Sequence, residues 1–504
     1  MSRGEFAMKK QTMVQATFIM IVVGFVIKVL GVLGRIIITR SLGEAGIGVY
    51  MLISPTIMLL AAIATIGLPV AIPALVSRGD IKERKLLSTA MTISAALSTT
   101  ITIFMFFLAE PIATYLLKDS RVVLPLMLTG PLLLVVSFTA ILKSYFQGKE
   151  LVAPGAVSTL AEQLIRMVLS VVLIGWLLPR GIPYAVSGLI LASIAGELVS
   201  AVILLTMFLR FKQKNYPKAD FKLPKLEPVV FKDVLGISLP TTGSRLVGTI
   251  THFLEPIIVA RMLFRVGYSS DASTLAYGAI AGFAIPLLFM PSFISGAVTG
   301  AIIPAISKAY KNRDLSTIHK RLSTSFRIAF FTCGFYLALV MVFPYEIMQL
   351  LYNSHTGAEF LKITAPVFLI LYLQAPLVAT LQAIDEAKFA LRASIIASFI
   401  KIGTIIFLMS IPGVGIWGFV YAMLLNIVLL TVWYFVIVKR RIGYPLKIAK
   451  LTQGILVLAV VYVFGQYLRA MVVVQSQLLQ IVIVAGILFV VHTVLSFFTD
   501  LVPK

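Results

Sequence analysis

Five cations, Lys28, Arg35, Arg166, Arg245 and Lys401, lie well inside long apolar runs of this 504-residue chain. A charge at the centre of a bilayer costs roughly 3 kcal/mol on insertion scales. Such residues persist where they face a wet cavity, a charged partner or an anionic substrate. Their shared chemistry is anion recognition, since Arg offers a planar fork to phosphate or carboxylate and Lys a point charge. Arg166 and Glu162 stand four apart in EQLIR, on one helix face, and can pair. That pair is either a self-neutralised structural bridge or a substrate contact. Lys401 has no acid in its own run, and neither do Lys28 and Arg35, which share roughly one face seven residues apart. For Lys28 and Arg35 the alternative to a substrate is a bridge to Glu255 or Glu197 on other runs.

Arg245, Thr249, His252 and Pro256 fall along one stripe, with Glu255 three residues from His252. A His–Glu pair at membrane depth either relays protons or forms a satisfied polar contact between lobes. Gln147 and Gln382 are placed to hold helices together by hydrogen bonds. GVGIWG (413–418) fits G-x-G-x-x-G, yet no strand precedes it, which excludes a dinucleotide site. Gly148-Lys149 is followed by Glu150 and lacks the glycine spacing of a phosphate loop, and no HExxH or paired-Cys pattern occurs. No cofactor, no metal and no hydrolysis of ATP within the chain is expected. The single cysteine, Cys333, sits in an apolar run and reads as a small core residue.

The elements holding these residues are membrane helices. The chain is 59% hydrophobic and only 12% charged, about half the charged share usual in soluble domains. Too little polar side chain remains to face water. Runs able to cross about 30 Å of hydrocarbon lie at 14–39, 45–75, 86–108, 122–147, 155–178, 184–209, 231–262, 275–306, 324–344, 361–384, 390–410, 414–438, 448–468 and 477–498. Kinks are expected at Pro55, Pro69, Pro256 or Pro286. The first run continues through Arg35 to Arg40 and reads as a retained helix, not a removed signal peptide; residues 1–7 (MSRGEFA) read as an added leader.

The formal charge of +23 does not indicate nucleic acid, because most of it lies between the runs, as topology signals do. With the N-terminus inside, inner segments carry 28 Lys/Arg and outer ones 8, which places both termini in the cytoplasm. Lys143 and Arg327 lie near cytoplasmic helix ends, where they can snorkel.

Two stretches of the chain resemble each other. RIIITR (35–40) answers PIIVAR (256–261), AIPAL (71–75) answers IIPAI (302–306), and Gln147 precedes Arg166 as Gln382 precedes Lys401. Gly188 and Gly418 open matching helices. This is the pattern of a duplicated six-helix unit whose parallel repeats are related by an axis along the membrane normal. The domains are an N-lobe at 14–209, a basic cytoplasmic linker at 210–230, a C-lobe at 231–438 and two C-terminal helices within 448–498. The expected fold is thus an all-α polytopic membrane protein with 14 transmembrane helices. It has two six-helix lobes related by pseudo-two-fold symmetry. The deep cations fall on the first, fifth, seventh and eleventh runs, two equivalent pairs, which are expected to line the cleft between the lobes.

KVLGVLGRIIITRSLGEAGIGVYMLISP (28–55), GLPVAIPALVSR (67–78), KSYFQGKE (143–150), EQLIR (162–166) and AGEL (195–198) closely resemble one family. It is the multidrug/oligosaccharidyl-lipid/polysaccharide exporter superfamily, in its stage V sporulation protein B-like branch, which is related to the lipid II flippases. The resemblance spans essentially the whole chain. It implies a flippase that moves an undecaprenyl-pyrophosphate-linked saccharide across the bacterial cytoplasmic membrane by alternating access, for cell-wall or spore-cortex synthesis. It implies that Lys28, at a position where those flippases commonly have Arg, and Arg35, about two turns on, face a cationic cavity for the diphosphate. It further implies a groove between the two C-terminal helices and the core for the lipid tail. The expected partners are the lipid-linked oligosaccharide and membrane lipid, with cell-wall polymerases as candidates.

A cation-coupled multidrug exporter of the same superfamily is the alternative. Such exporters couple ions through membrane carboxylates, and here three deep acids (Glu162, Glu197, Glu255) stand against five deep bases, which favours an anionic substrate. A membrane glycosyltransferase needs acidic residues on a sizeable external loop, and the outer loops are too short for one.

Overall fold

A backbone inside hydrocarbon has no water to bond, so each apolar run must close its hydrogen bonds within itself as a helix. The computed structural model describes residues 13–79, 81–215, 228–445 and 448–502, and every regular element among them is helical. Among the described residues, fourteen helical segments are long and apolar enough to cross a membrane. The chain forms two compact units, Met1–Ile257 and Ile258–Lys504.

The first unit holds α1 (Met13–Thr65), α2 (Leu68–Arg78), α3 (Glu83–Pro111), α4 (Val123–Gly148), α5 (Val152–Leu177), α6 (Ile182–Asn215) and most of α7 (Pro228–Arg265). At 1.5 Å per residue, α1 measures about 80 Å, far more than one crossing. It is two helices joined at Gly43, whose φ of 67° and ψ of −175° break the helical path. The run expected at 45–75 is itself broken at Ile66–Gly67, ahead of Pro69. At the core, α4 packs against α2, α3 and α6. Ile72, Leu86, Leu142, Phe146, Leu204 and Phe208 are buried there, joined by Val230 and Val234 from the start of α7. The division between units therefore falls within α7. The segment 210–230 lies mostly outside the described residues.

The second unit follows with α8 (Ser270–Gly278), a π-helical turn at Ala279–Ala284, α9 (Ile285–Leu288), α10 (Ser292–Lys311), α11 (Leu315–Val342) and α12 (Pro344–Tyr352). After these come α13 (Ala358–Ala383), α14 (Ala387–Met409), α15 (Trp417–Ile442), α16 (Ile448–Met471) and α17 (Gln477–Phe498). The sequence predicts one helix over 275–306. The structure has two segments separated by a turn at 289–291. Pro291 has no N–H to give the helix and disfavours helical geometry at Met290. The short α12 has no counterpart among the expected runs.

This unit's core repeats the first. α13 packs against α10, α11 and α15, burying Leu377, Leu381, Tyr434 and Val438. Those positions lie 235 residues beyond Leu142 and Phe146, and 230 beyond Leu204 and Phe208. The α4–α5 and α13–α14 turns also match. Leu151 N–H donates to Phe146 C=O at 2.9 Å and Glu386 N–H to Leu381 C=O at 2.8 Å. Glu150 and Asp385 between them both take left-handed φ, 59° and 62°. Gly188 brings α6 against Leu173 and Leu177 of α5, and Gly418 brings α15 against Leu408 and Met409 of α14.

Candidate functional site

α5 buries a stripe of Ser158, Glu162, Ser170 and Ile174, with Arg166 half-buried beside it. Glu162 is the hub. One carboxylate oxygen accepts from Lys143 Nζ of α4 at 3.0 Å, and the other lies 3.5 Å from Arg166 Nη1. Arg166 also donates to Gln163 Oε1. On α6, Glu197 accepts from Thr139 Oγ1 at 2.8 Å and lies within electrostatic reach of Glu162, Lys143 and Arg166. Gly196 makes this closeness possible, because a Cβ there would stand 2.8 Å from the Glu162 carbonyl oxygen. Two acids and two bases thus form one cluster on three helices, balanced in formal charge. Lys143 pairs across helices with Glu162, whose burial to 6% exposure requires compensation. Arg327 pairs with Asp500, just beyond the end of α17, at 2.8 Å.

On α14 the matching stripe reads Ala390, Ala393, Ala397, Lys401, Ile405 and Met409. Lys401 answers Arg166 and Ala397 answers Glu162, each 235 residues on. Lys401 is 8% exposed, on the face turned into its own unit. The position answering Lys143 is Val378. This was the available signal for Lys143: the acid and its inter-helix base occur together in one half and are absent together from the other.

The remaining candidates lie on α1 and α7. Lys28 is exposed and Arg35 half-buried. Arg35 Nη2 reaches across the Gly43 break to Met51 Sδ at 3.3 Å, tying the two parts of α1 together. Arg245 lies on α7, and its side chain falls outside the described residues. His252 Nδ1 stands 3.3 Å from Glu255 Oε1, with the imidazole largely exposed and the carboxylate buried. The predicted pairs Glu162–Arg166 and His252–Glu255 are both formed within the first unit, whereas Lys401 belongs to the second.

The model of the polysaccharide biosynthesis protein family matches residues 13–310, more than half of the chain. The chain belongs to that family. A MatE model matches 249–406 as well. Stage V sporulation protein B of Bacillus subtilis (strain 168) is 36% identical over 458 residues, covering 90% of this chain and 88% of that one. Lipid II flippase MurJ of the same organism is 21% identical, covering 89% and 87%. The solved inward closed conformation of lipid II flippase MurJ shares the fold at a TM-score of 0.71 and 14% identity, covering 96% of this chain and 99% of that one. This polysaccharide biosynthesis protein is accordingly a multi-pass membrane protein that shares the fold of the lipid II flippases.

Proposed function

We propose that the chain is a flippase of the bacterial cytoplasmic membrane, with both termini in the cytoplasm. Its cargo is an undecaprenyl-pyrophosphate-linked saccharide, a lipid II-like peptidoglycan precursor. It delivers this cargo to the outer leaflet by alternating access, for cell-wall or spore-cortex synthesis. The observation that carries this reading is the excess of cation over acid within the spans. Of the cations within the spans, Lys28, Arg35, Arg245 and Lys401 are the candidates to hold a diphosphate, since Arg forks and Lys point charges suit phosphoryl oxygens. Arg166 contributes through whatever charge Glu162 leaves it. His252 and Glu255 are the candidate ion- or proton-coupling pair. The kinship with lipid II flippase MurJ supports the substrate class.

The MatE match over 249–406 favours a second reading, a cation-coupled multidrug exporter. Translocation of lipid II in proteoliposomes separates the two. The flippase reading expects transport by the wild type and its loss in Arg35→Ala and Arg245→Ala, with folding intact. Absence of lipid II transport under every ion gradient and potential, together with efflux of a cationic dye, would overturn it.

A further inference from the structure

At the start of α14 and the end of α15, two guanidinium groups share one aromatic ring. The Arg392 Cζ lies 5.5 Å from the Phe389 ring centroid, and the Arg441 Cζ lies 5.2 Å from the same centroid. Both guanidiniums, contributed by different helices, thus lie against the same ring. Arg441 Nε donates to Glu386 Oε1 at 2.8 Å. Phe389 is 41% exposed, and both arginines are exposed. Lys388, Lys439 and Arg440 are their neighbours in sequence, so these two stretches carry five cations against Asp385 and Glu386. Two exposed guanidiniums against one ring suit recognition of a phosphoryl group.

The depth and the surface below specify what carries that phosphoryl group. The two candidate spans begin at Ala387 and end at Ile442, so Arg392 lies in the second turn of one and Arg441 in the last turn of the other, both near span ends. From Arg392 the exposed stripe of α14 continues through Ile396, Phe399, Gly403 and Ile406, at alternating spacings of three and four. An acyl chain descending from a phosphate at Arg392 meets this stripe along its length. The first unit shows that the fold does not impose the arrangement. At the corresponding positions, 235 residues earlier on α5 and 230 earlier on α6, stand Pro154, Val157 and Phe211 for Phe389, Arg392 and Arg441. We propose that Arg392 and Arg441, splayed over Phe389, form a headgroup site for an anionic membrane phospholipid on the lipid-facing side of α14 and α15. Basic pockets between helices at this level are the form such sites take.

The test uses the full chain purified in detergent, with native mass spectrometry of retained lipid during titration by phosphatidylglycerol, phosphatidylcholine or inorganic phosphate. Phosphatidylglycerol is expected to bind the Arg392→Gln/Arg441→Gln protein about thirtyfold more weakly than the wild type. Phosphatidylcholine is expected to bind both alike. Equal phosphatidylglycerol retention by wild type and variant overturns the site. Competition by inorganic phosphate at lipid-equivalent concentrations also overturns it, because the ligand is then the free anion. Should the double variant not fold, Arg392→Gln and Phe389→Leu separately must each weaken phosphatidylglycerol, and unchanged binding by both counts against the site.

Discussion

The two units solve the same packing problem with different charges at the same place. On α5, Glu162 gathers Lys143 and Arg166 into a cluster that also reaches Glu197, and the formal charges balance. On α14 the equivalent stripe keeps only its base, Lys401, among alanines. The backbone frame is shared down to the turn hydrogen bonds, so the difference belongs to side chains alone. A charge-balanced cluster fixes the positions of three helices. On α14, alanine at the acid's position leaves out that cluster, and a cation buried there carries an insertion cost of roughly 3 kcal/mol. The comparison assigns a structural task to the first arrangement and an electrostatic one to the second.

The sharpest way to break that assignment is to remove the hub. Glu162→Ala leaves Lys143 and Arg166 partly buried without their acid, and is expected to cost about 3–5 kcal/mol of stability. Thermal unfolding in detergent reads this directly. The double change Lys143→Val/Glu162→Ala copies the second unit's own residues and should recover much of the loss. If the double variant melts as low as the single one, the cluster is not the source of the stability.

Transport gives the next, smaller effect. Arg166→Met and Lys401→Met remove equivalent cations, but only the first has Glu162 beside it. Lys401→Met is expected to slow lipid II translocation at least about tenfold more than Arg166→Met, a difference of about 1.4 kcal/mol in transition-state terms. Equal rates would erase the distinction between the units, and a larger loss at Arg166 would invert it.

What the sequence discloses follows the range of each interaction. Glu162–Arg166 and His252–Glu255 are local, three or four residues apart, so helical periodicity alone identifies them. Lys143–Glu162 joins different helices nineteen residues apart, and only the missing acid and base in the second half point to it. Spans are legible because hydrocarbon thickness sets their length. The breaks at Ile66–Gly67 and Phe289–Pro291 are less so, because apolar residues run through both and hydropathy does not fall. There the prolines carry the signal. Lys401 could be placed in the core from its alanine stripe, since Ala390, Ala393, Ala397 and Lys401 recur at helical spacing. The Phe389 cluster depends on how α14 meets α15, which no local pattern encodes.

The finest distinction between the units lies at the two glycines that let α6 meet α5 and α15 meet α14. A Cβ at Gly418 would stand 2.8 Å from the Met409 backbone nitrogen and 2.9 Å from the Leu408 carbonyl carbon. Neither atom can move without shifting the end of α14. A Cβ at Gly188 would meet the tip of Leu177 at 3.0 Å and the Leu173 carbonyl carbon at 3.2 Å, and a leucine tip can rotate away. Overpacking of the first kind costs typically about 1–3 kcal/mol. At Gly188, deep within α6, the gain in helix propensity of up to about 1 kcal/mol offsets most of the strain. Gly418, second in α15, gains little from propensity. Gly418→Ala should therefore melt below Gly188→Ala by the equivalent of about 1 kcal/mol or more. Equal melting would mean that the α14–α15 contact yields as readily as α5–α6, and that the second unit is held less firmly at this crossing than its geometry requires.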